Sequence, residues 1–163
     1  MSDTAHLARQ VLAACEARGI MLATAESCTG GMIIAALTDI AGSSSVVDRG
    51  FVTYSNDAKR EMLGVSRETL DTFGAVSAET AAEMAAGALK NSRAGLAVSV
   101  TGIAGPDGGS PDKPVGLVWF GVAVKGKPVR TEKRLFRNLG RDYIRRETVR
   151  CALELGLDAL DEG

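Results

Sequence analysis

The chain has 163 residues, of which 45% are apolar, 24% charged and only 4% aromatic, with a formal net charge of −1. That is enough chain for one packed core, read as a single domain over 1–163. The near-neutral balance and scarce aromatics argue against a nucleic-acid surface, and no apolar run approaches the roughly 18 residues of a membrane span.

Cys15, Cys28 and Cys151 are odd in number and far apart. They read as reduced thiols in a cytoplasm, not as a disulfide frame or a zinc site. The opening Met1-Ser2-Asp3-Thr4-Ala5-His6 has no basic lead into an apolar stretch, so it does not read as a signal peptide.

Leu7, Val11 and Cys15 recur at four-residue steps, with Ala8 and Leu12 widening the stripe, which predicts a helix over 4–18 that Gly19 stops. Gly19-Ile20-Met21-Leu22-Ala23 then reads as a buried strand. Met32 to about Ile40 reads as a helix, and Ala41-Gly42-Ser43-Ser44-Ser45 as a loop. Gly50 to Ser55 is the second expected strand. Ser55 or Asn56 caps a short helix over 57–63, Ser66 opens another that ends near Gly74, and Ser77 caps a longer one over 78–93.

Leu96 to Thr101 is the third expected strand. It runs into a glycine-rich loop, Gly102 to Pro114, that is too long for a plain connector. Strands over 115–124 and 129–136 flank Lys125-Gly126-Lys127-Pro128 as a hairpin, and a final helix runs from about Arg141 to Leu160. The order predicts a three-layer α/β/α sandwich around a mixed, mostly parallel sheet.

The stretch Thr24-Ala25-Glu26-Ser27-Cys28-Thr29-Gly30-Gly31 joins the first strand to the second helix. Open α/β sheets bind ligands at such junctions, where free amides and the positive end of a helix face outward. The same residues also fit a polar turn with a Ser or Thr cap. A serine nucleophile needs a base, and the only histidine, His6, lies near the start of the chain. Lysine is the remaining common partner. Of six lysines, Lys59 alone follows a strand at a helix N-terminus, where a cation is unfavourable; most lysines on short helices are simply solvated. Cys28 is a rival nucleophile, activated by its position at a helix start, or else a small packing residue under that helix.

The Gly102–Gly109 loop lacks the spacings of a P-loop or a dinucleotide fingerprint, yet its amides suit an anion, Thr101 adds a hydroxyl, and Lys113 can reach a ligand from the loop. Between Arg130 and Arg150 stand eight cations against three carboxylates, most of them read as solvated. Arg141 and Arg145 are one helical turn apart, and Arg141 sits at a helix start suited to a phosphate.

Three blocks carry a family resemblance: Thr24 to Gly31; Arg49-Gly50-Phe51-Val52-Thr53-Tyr54-Ser55-Asn56-Asp57-Ala58-Lys59; and Ser99-Val100-Thr101-Gly102-Ile103-Ala104-Gly105-Pro106-Asp107-Gly108-Gly109. With them the chain resembles the CinA C-terminal domain family over about residues 5–160, in particular its stand-alone nicotinamide-nucleotide amidases. The resemblance implies hydrolysis of nicotinamide mononucleotide to nicotinic acid mononucleotide and ammonia, with no metal or cofactor. It implies a catalytic set of Ser27 as nucleophile, Lys59 as its base and Tyr54 in the same pocket. Substrate contacts are expected from Glu26, Cys28, Thr29, Gly30, Gly31, Thr101, Gly102 and Arg141, with amides around Cys28–Gly31 receiving the oxyanion. The expected partners are a small nucleotide and further copies of the chain, with no nucleic acid or membrane. A nucleotide-binding regulatory module that lacks turnover is the alternative.

Overall fold

The computed structural model describes residues 3–161, so Met1 and Ser2 of the opening stretch lie outside the described residues. Helix α1 spans Asp3–Arg18. It ends where expected, with Gly19 at φ 66° and the amide of Ile20 donating to the Cys15 carbonyl at 3.1 Å. That 6→1 closure draws residues 19–20 into the helix end. Strand β1 therefore starts three residues later than the apolar run suggested, at Leu22–Glu26. Helix α2 covers Met32–Thr38 and strand β2 covers Val47–Val52. The second strand was expected over 50–55, but residues 53–55 leave the sheet to meet the next helix.

Helices α3 (Asn56–Leu63), α4 (Arg67–Phe73) and α5 (Ala78–Lys90) follow. Each is capped by a serine expected for it: Ser55, Ser66 and Ser77 accept the amides of Ala58, Thr69 and Thr80. Strands β3 (Leu96–Gly102), β4 (Leu117–Val124) and β5 (Arg130–Leu135) precede helix α6 (Arg141–Asp161).

One five-stranded sheet has the order β2-β1-β3-β4-β5. β1 pairs parallel with β2 and β3, whereas β4 is antiparallel to both β3 and β5. Four strands thus point one way and β4 alone is reversed, so the mixed, mostly parallel sheet is present in strand direction. Helices α1, α2 and α6 cover one face, and α3, α4 and α5 lie on the other. None of the described helices is long and apolar enough to cross a membrane.

The two faces are built differently. Leu22, Leu96, Val98, Val100, Val118, Phe120 and Val122 fill the side of α1, α2 and α6. Ala25, Ala97 and Ala123 face α5, and the Ser99 hydroxyl donates to the Ala81 carbonyl at 2.6 Å. Small residues let α5 lie close, and α3 then packs on α5 through a second gap. A Cβ on Gly87 of α5 would collide with the backbone carbonyl of Leu63, the last residue of α3. Backbone cannot step aside as a side chain can. Gly87→Ala is therefore expected to lower stability by about 1–3 kcal/mol, a packing cost above the roughly 1 kcal/mol that alanine gains in a helix. Chemical denaturation checks it.

Because β1, β2 and β3 run parallel, their carboxyl ends share one edge. β1 connects to β2 on one side and lies beside β3 on the other. The crevice at its end is a topological switch point, where α/β sheets place their sites.

Candidate active site

Each of the three quoted blocks sits at one of those strand ends. Ser27 follows β1, Thr53 and Tyr54 follow β2, and Thr101 and Gly102 close β3. Of these, Ser27, Tyr54, Thr101 and Gly102 line a cleft of about 270 Å³, together with Cys28, Asn56, Lys59, Ala75–Val76, the start of the glycine loop and Arg141.

Lys59 lies in the first turn of α3 and is only 1% exposed. Its side chain turns inward, and its Nζ donates to Ser27 Oγ at 3.1 Å, Thr53 O at 3.1 Å and Tyr54 O at 3.3 Å. Those are three acceptors for the three hydrogens of an ammonium. Burial nevertheless holds the Lys59 amine below the ordinary lysine range, because the charged form loses its water, with Cys28 acting weakly in the opposite direction. In the neutral form, two N–H groups serve the two carbonyls and the lone pair is left aimed at Ser27 Oγ. The residues expected to end β2 thus do something else: their carbonyls position a base.

Cys28 is 6% exposed, with its side chain in the core. Burial pushes its thiol up to about 12, despite the adjacent helix start and the Arg145 and Lys59 charges. Activation by position, open from the sequence, is outweighed by desolvation.

Four residues expected to touch a ligand do not line the cleft: Glu26, Thr29, Gly30 and Gly31. Glu26 is fully buried, on the α2 face of the sheet. Its Oε1 accepts from Thr29 Oγ1 at 2.6 Å, Ile33 N at 2.9 Å and Gly31 N at 3.3 Å, and its Oε2 from Ile34 N at 3.0 Å. It is the cap of α2, reached from five residues upstream, and it neutralises the positive helix end. Thr29 is consumed by the same contact. Gly30 and Gly31, at φ 58° and 109°, make the left-handed turn that α2 needs to start there. Within the turn, the amides of Ser27, Gly30 and Met32 donate to Val100, Ser27 and Thr29 carbonyls. The amides of Cys28 and Thr29 have no acceptor among the described residues.

Tyr54 is 62% exposed, and its hydroxyl receives a hydrogen bond from Arg141 Nη2 at 3.1 Å. Arg141 Nη1 holds the Gly105 carbonyl of the glycine loop at 2.7 Å, which leaves other guanidinium donors facing the cleft. Thr101 is buried and donates to Ala75 O at 2.7 Å. Lys113, a possible ligand contact by sequence, is instead the anchor of the loop, with its Nζ on Phe73 O at 2.6 Å. Among the described residues, Asp107 is the one carboxylate in the cleft lining.

His6 is exposed on α1 and apart from the cleft lining. Much of the basic stretch is paired, Arg134 with Glu132 at 3.0 Å and Arg150 with Glu147 at 3.0 Å and with Glu154. Arg145, one helical turn from Arg141, does not join it in the cleft lining. Its Nε and Nη2 reach the carbonyls of Cys28 and Thr29 at 3.1 and 3.2 Å. Among the described residues, no three His, Cys, Asp or Glu side chains stand together as a metal site.

A serine hydroxyl in contact with a buried, destabilised lysine can act as a nucleophile, and free amides beside it can receive an oxyanion. The comparisons with known proteins concern the chain as a whole. The model of the CinA C-terminal domain matches residues 4–160. The nicotinamide-nucleotide amidohydrolase PncC of Escherichia coli K12 is 52% identical over 153 residues, covering 94% of this chain and 92% of that protein. The crystal structure of the competence/damage inducible protein CihA from Agrobacterium tumefaciens superposes with a TM-score of 0.95 at 57% identity, covering 99% of this chain and 97% of that one. A CinA superfamily structure from Klebsiella pneumoniae gives 0.94 at 37% identity, covering 99% and 100%.

Proposed function

The chain belongs to the CinA C-terminal domain family, and we propose that it is an amidohydrolase that converts nicotinamide mononucleotide and water to nicotinic acid mononucleotide and ammonia. The observation that carries the reading is the 3.1 Å contact between Ser27 Oγ and Lys59 Nζ, at the edge where three parallel strands end. The name of the Escherichia coli relative supports the substrate class.

Neutral Lys59 takes the Ser27 proton as Oγ bonds to the carboxamide carbon. The tetrahedral oxyanion is received by the amide of Cys28, which lines the cleft. On collapse the C–N bond breaks, and the Lys59 ammonium gives its proton to the departing amine, which leaves as ammonia. Water then attacks the Ser27 ester, with Lys59 taking its proton and returning it to Oγ as the nicotinate leaves. The pyridinium makes the carbonyl more electrophilic. It also disfavours the Lys59 ammonium, in the same direction as burial.

Tyr54, at the cleft mouth, offers its ring to the pyridinium, and its carbonyl holds Lys59. The Arg141 donors not used on Tyr54 and Gly105 take the phosphate. Thr101 and Gly102 form the wall beside Ser27, at the end of the neighbouring strand, and Asp107 suits ribose hydroxyls.

The test is ammonia release by the purified chain from nicotinamide mononucleotide, with nicotinic acid mononucleotide formed in equal amount. Tight nucleotide binding without ammonia would instead indicate a binding module. In the same assay Arg141→Ala is expected to raise KM for the mononucleotide about 10-fold or more, the loss of a charge-assisted hydrogen bond of about 1.5–3 kcal/mol. KM for nicotinamide riboside, which lacks the phosphate, should stay nearly unchanged. An equal rise for both substrates would remove the phosphate from Arg141.

A further inference from the structure

Arg145 has no part in the scheme above, and its contacts give it one. It stands one turn after Arg141 on α6, half-buried and outside the cleft lining. Its guanidinium crosses to the β1–α2 turn, where Nε donates to Cys28 O and Nη2 to Thr29 O, at 3.1 and 3.2 Å.

A trans peptide is planar, with its carbonyl and its N–H pointing in opposite directions. Holding the Cys28 carbonyl therefore fixes the direction of the Thr29 N–H. The Ser27 carbonyl is held in the same way by the Gly30 amide at 3.1 Å, which fixes the Cys28 N–H. These are the two amides of the turn without a protein acceptor among the described residues. Downstream, Glu26 secures the amides of Gly31, Ile33 and Ile34. The turn is thus gripped from two sides, by a carboxylate on its later amides and by a guanidinium on its earlier carbonyls.

We infer that Arg145 is a positioning residue for amide hydrolysis: by holding the Cys28 and Thr29 carbonyls it fixes the turn whose Gly30 amide grips the Ser27 carbonyl, so that the Cys28 amide, which lines the cleft, meets the developing oxyanion. This rests on Ser27 being the nucleophile. A cation on the carbonyl side of a peptide strengthens its N–H as a donor. The oxyanion exists only beyond the ground state, so the effect falls on kcat and not on KM. The division of labour on α6 follows: Arg141 in the cleft for binding, Arg145 behind it for turnover.

The test is the steady-state kinetics of Arg145→Ala and Arg145→Lys with nicotinamide mononucleotide. Arg145→Ala should lose about 10–100-fold in kcat, less than or equal to the loss of a whole oxyanion donor, with KM within about 3-fold. Arg145→Lys should recover only part of it, because one ammonium lacks the planar fork. Methylguanidinium added to Arg145→Ala should restore turnover. In the Ser27→Ala background, calorimetric affinity for the mononucleotide should be the same with and without Arg145→Ala, which reports an intact pocket.

Unchanged kcat, or a raised KM at constant kcat, overturns the inference. If Arg145→Ala does not fold, Arg145→Lys decides, and wild-type kcat in that variant overturns it. Retained activity in Ser27→Ala overturns the nucleophile reading first. Loss of activity there, with wild-type kcat in Arg145→Ala, overturns the role of Arg145 alone.

Discussion

Ser27→Ala is expected to abolish ammonia release from nicotinamide mononucleotide, a loss of at least about 10⁴-fold in kcat, with nucleotide affinity within a few-fold of wild type. Ser27 Oγ is the side-chain acceptor that Lys59 Nζ contacts, and Ser27 lines the cleft. The neighbouring thiol is no substitute. The Cys28 side chain is packed in the core and its pKa is pushed up to about 12, so at neutral pH it stays protonated although the residue borders the cleft. Cys28→Ala accordingly keeps turnover and loses only packing. Kinetics of the two variants side by side separate the candidates: retained activity in Ser27→Ala, with loss in Cys28→Ala, would exchange their roles.

The second large effect belongs to Lys59. Removing a general base costs about 10²–10⁴-fold, so Lys59→Ala should fall in that range in kcat/KM. Lys59→Arg should be comparably inactive, although it keeps the positive charge, because guanidinium does not become neutral in proteins. Activity in Lys59→Arg near wild type would make the residue an electrostatic partner and not a base.

The pH dependence follows from the depressed amine. Below its folded pKa the lysine is charged and cannot accept the Ser27 proton. As pH rises through that pKa the neutral form appears and kcat/KM climbs, at a midpoint below the ordinary 10.5. The stability linkage has a definite sign. The unfolded chain binds the proton more tightly, so burial of Lys59 costs most at pH below the folded pKa, and the cost is relieved as pH rises from there towards 10.5. Lys59→Ala should lose the rising limb of kcat/KM. Its persistence in that variant would place the titrating group elsewhere.

Much of the architecture was readable from the residues. Ser55, Ser66 and Ser77 announced three helix starts because capping is local chemistry, written within a few positions. The three strand ends carried the motifs that meet at the cleft, and Lys59 was conspicuous as a cation against a helix dipole. Its inward turn shows why that position is tolerated. Residue type is uninformative where a partner is distant in sequence. Glu26 looked like a ligand contact because a carboxylate beside a nucleophile suggests chemistry. Its partners are amides five to eight residues downstream, and nothing in residue type marks an amide as needing a cap. β2 ends before the strand-like side chains of Thr53 and Tyr54, because their carbonyls hold Lys59 and the Ser55 hydroxyl caps α3. Arg145 shares its helical spacing with several solvated arginines. The carbonyls it holds lie 117 and 116 residues away, and backbone acceptors leave no signature in a side-chain pattern.

The most direct measurement is peptide mapping of the enzyme acid-quenched during turnover of nicotinamide mononucleotide. The account predicts the nicotinic acid mononucleotide acyl group as an ester on the peptide's Ser27, absent from Ser27→Ala. The same acyl group on Cys28, or turnover at the wild-type rate in Ser27→Ala, would contradict it.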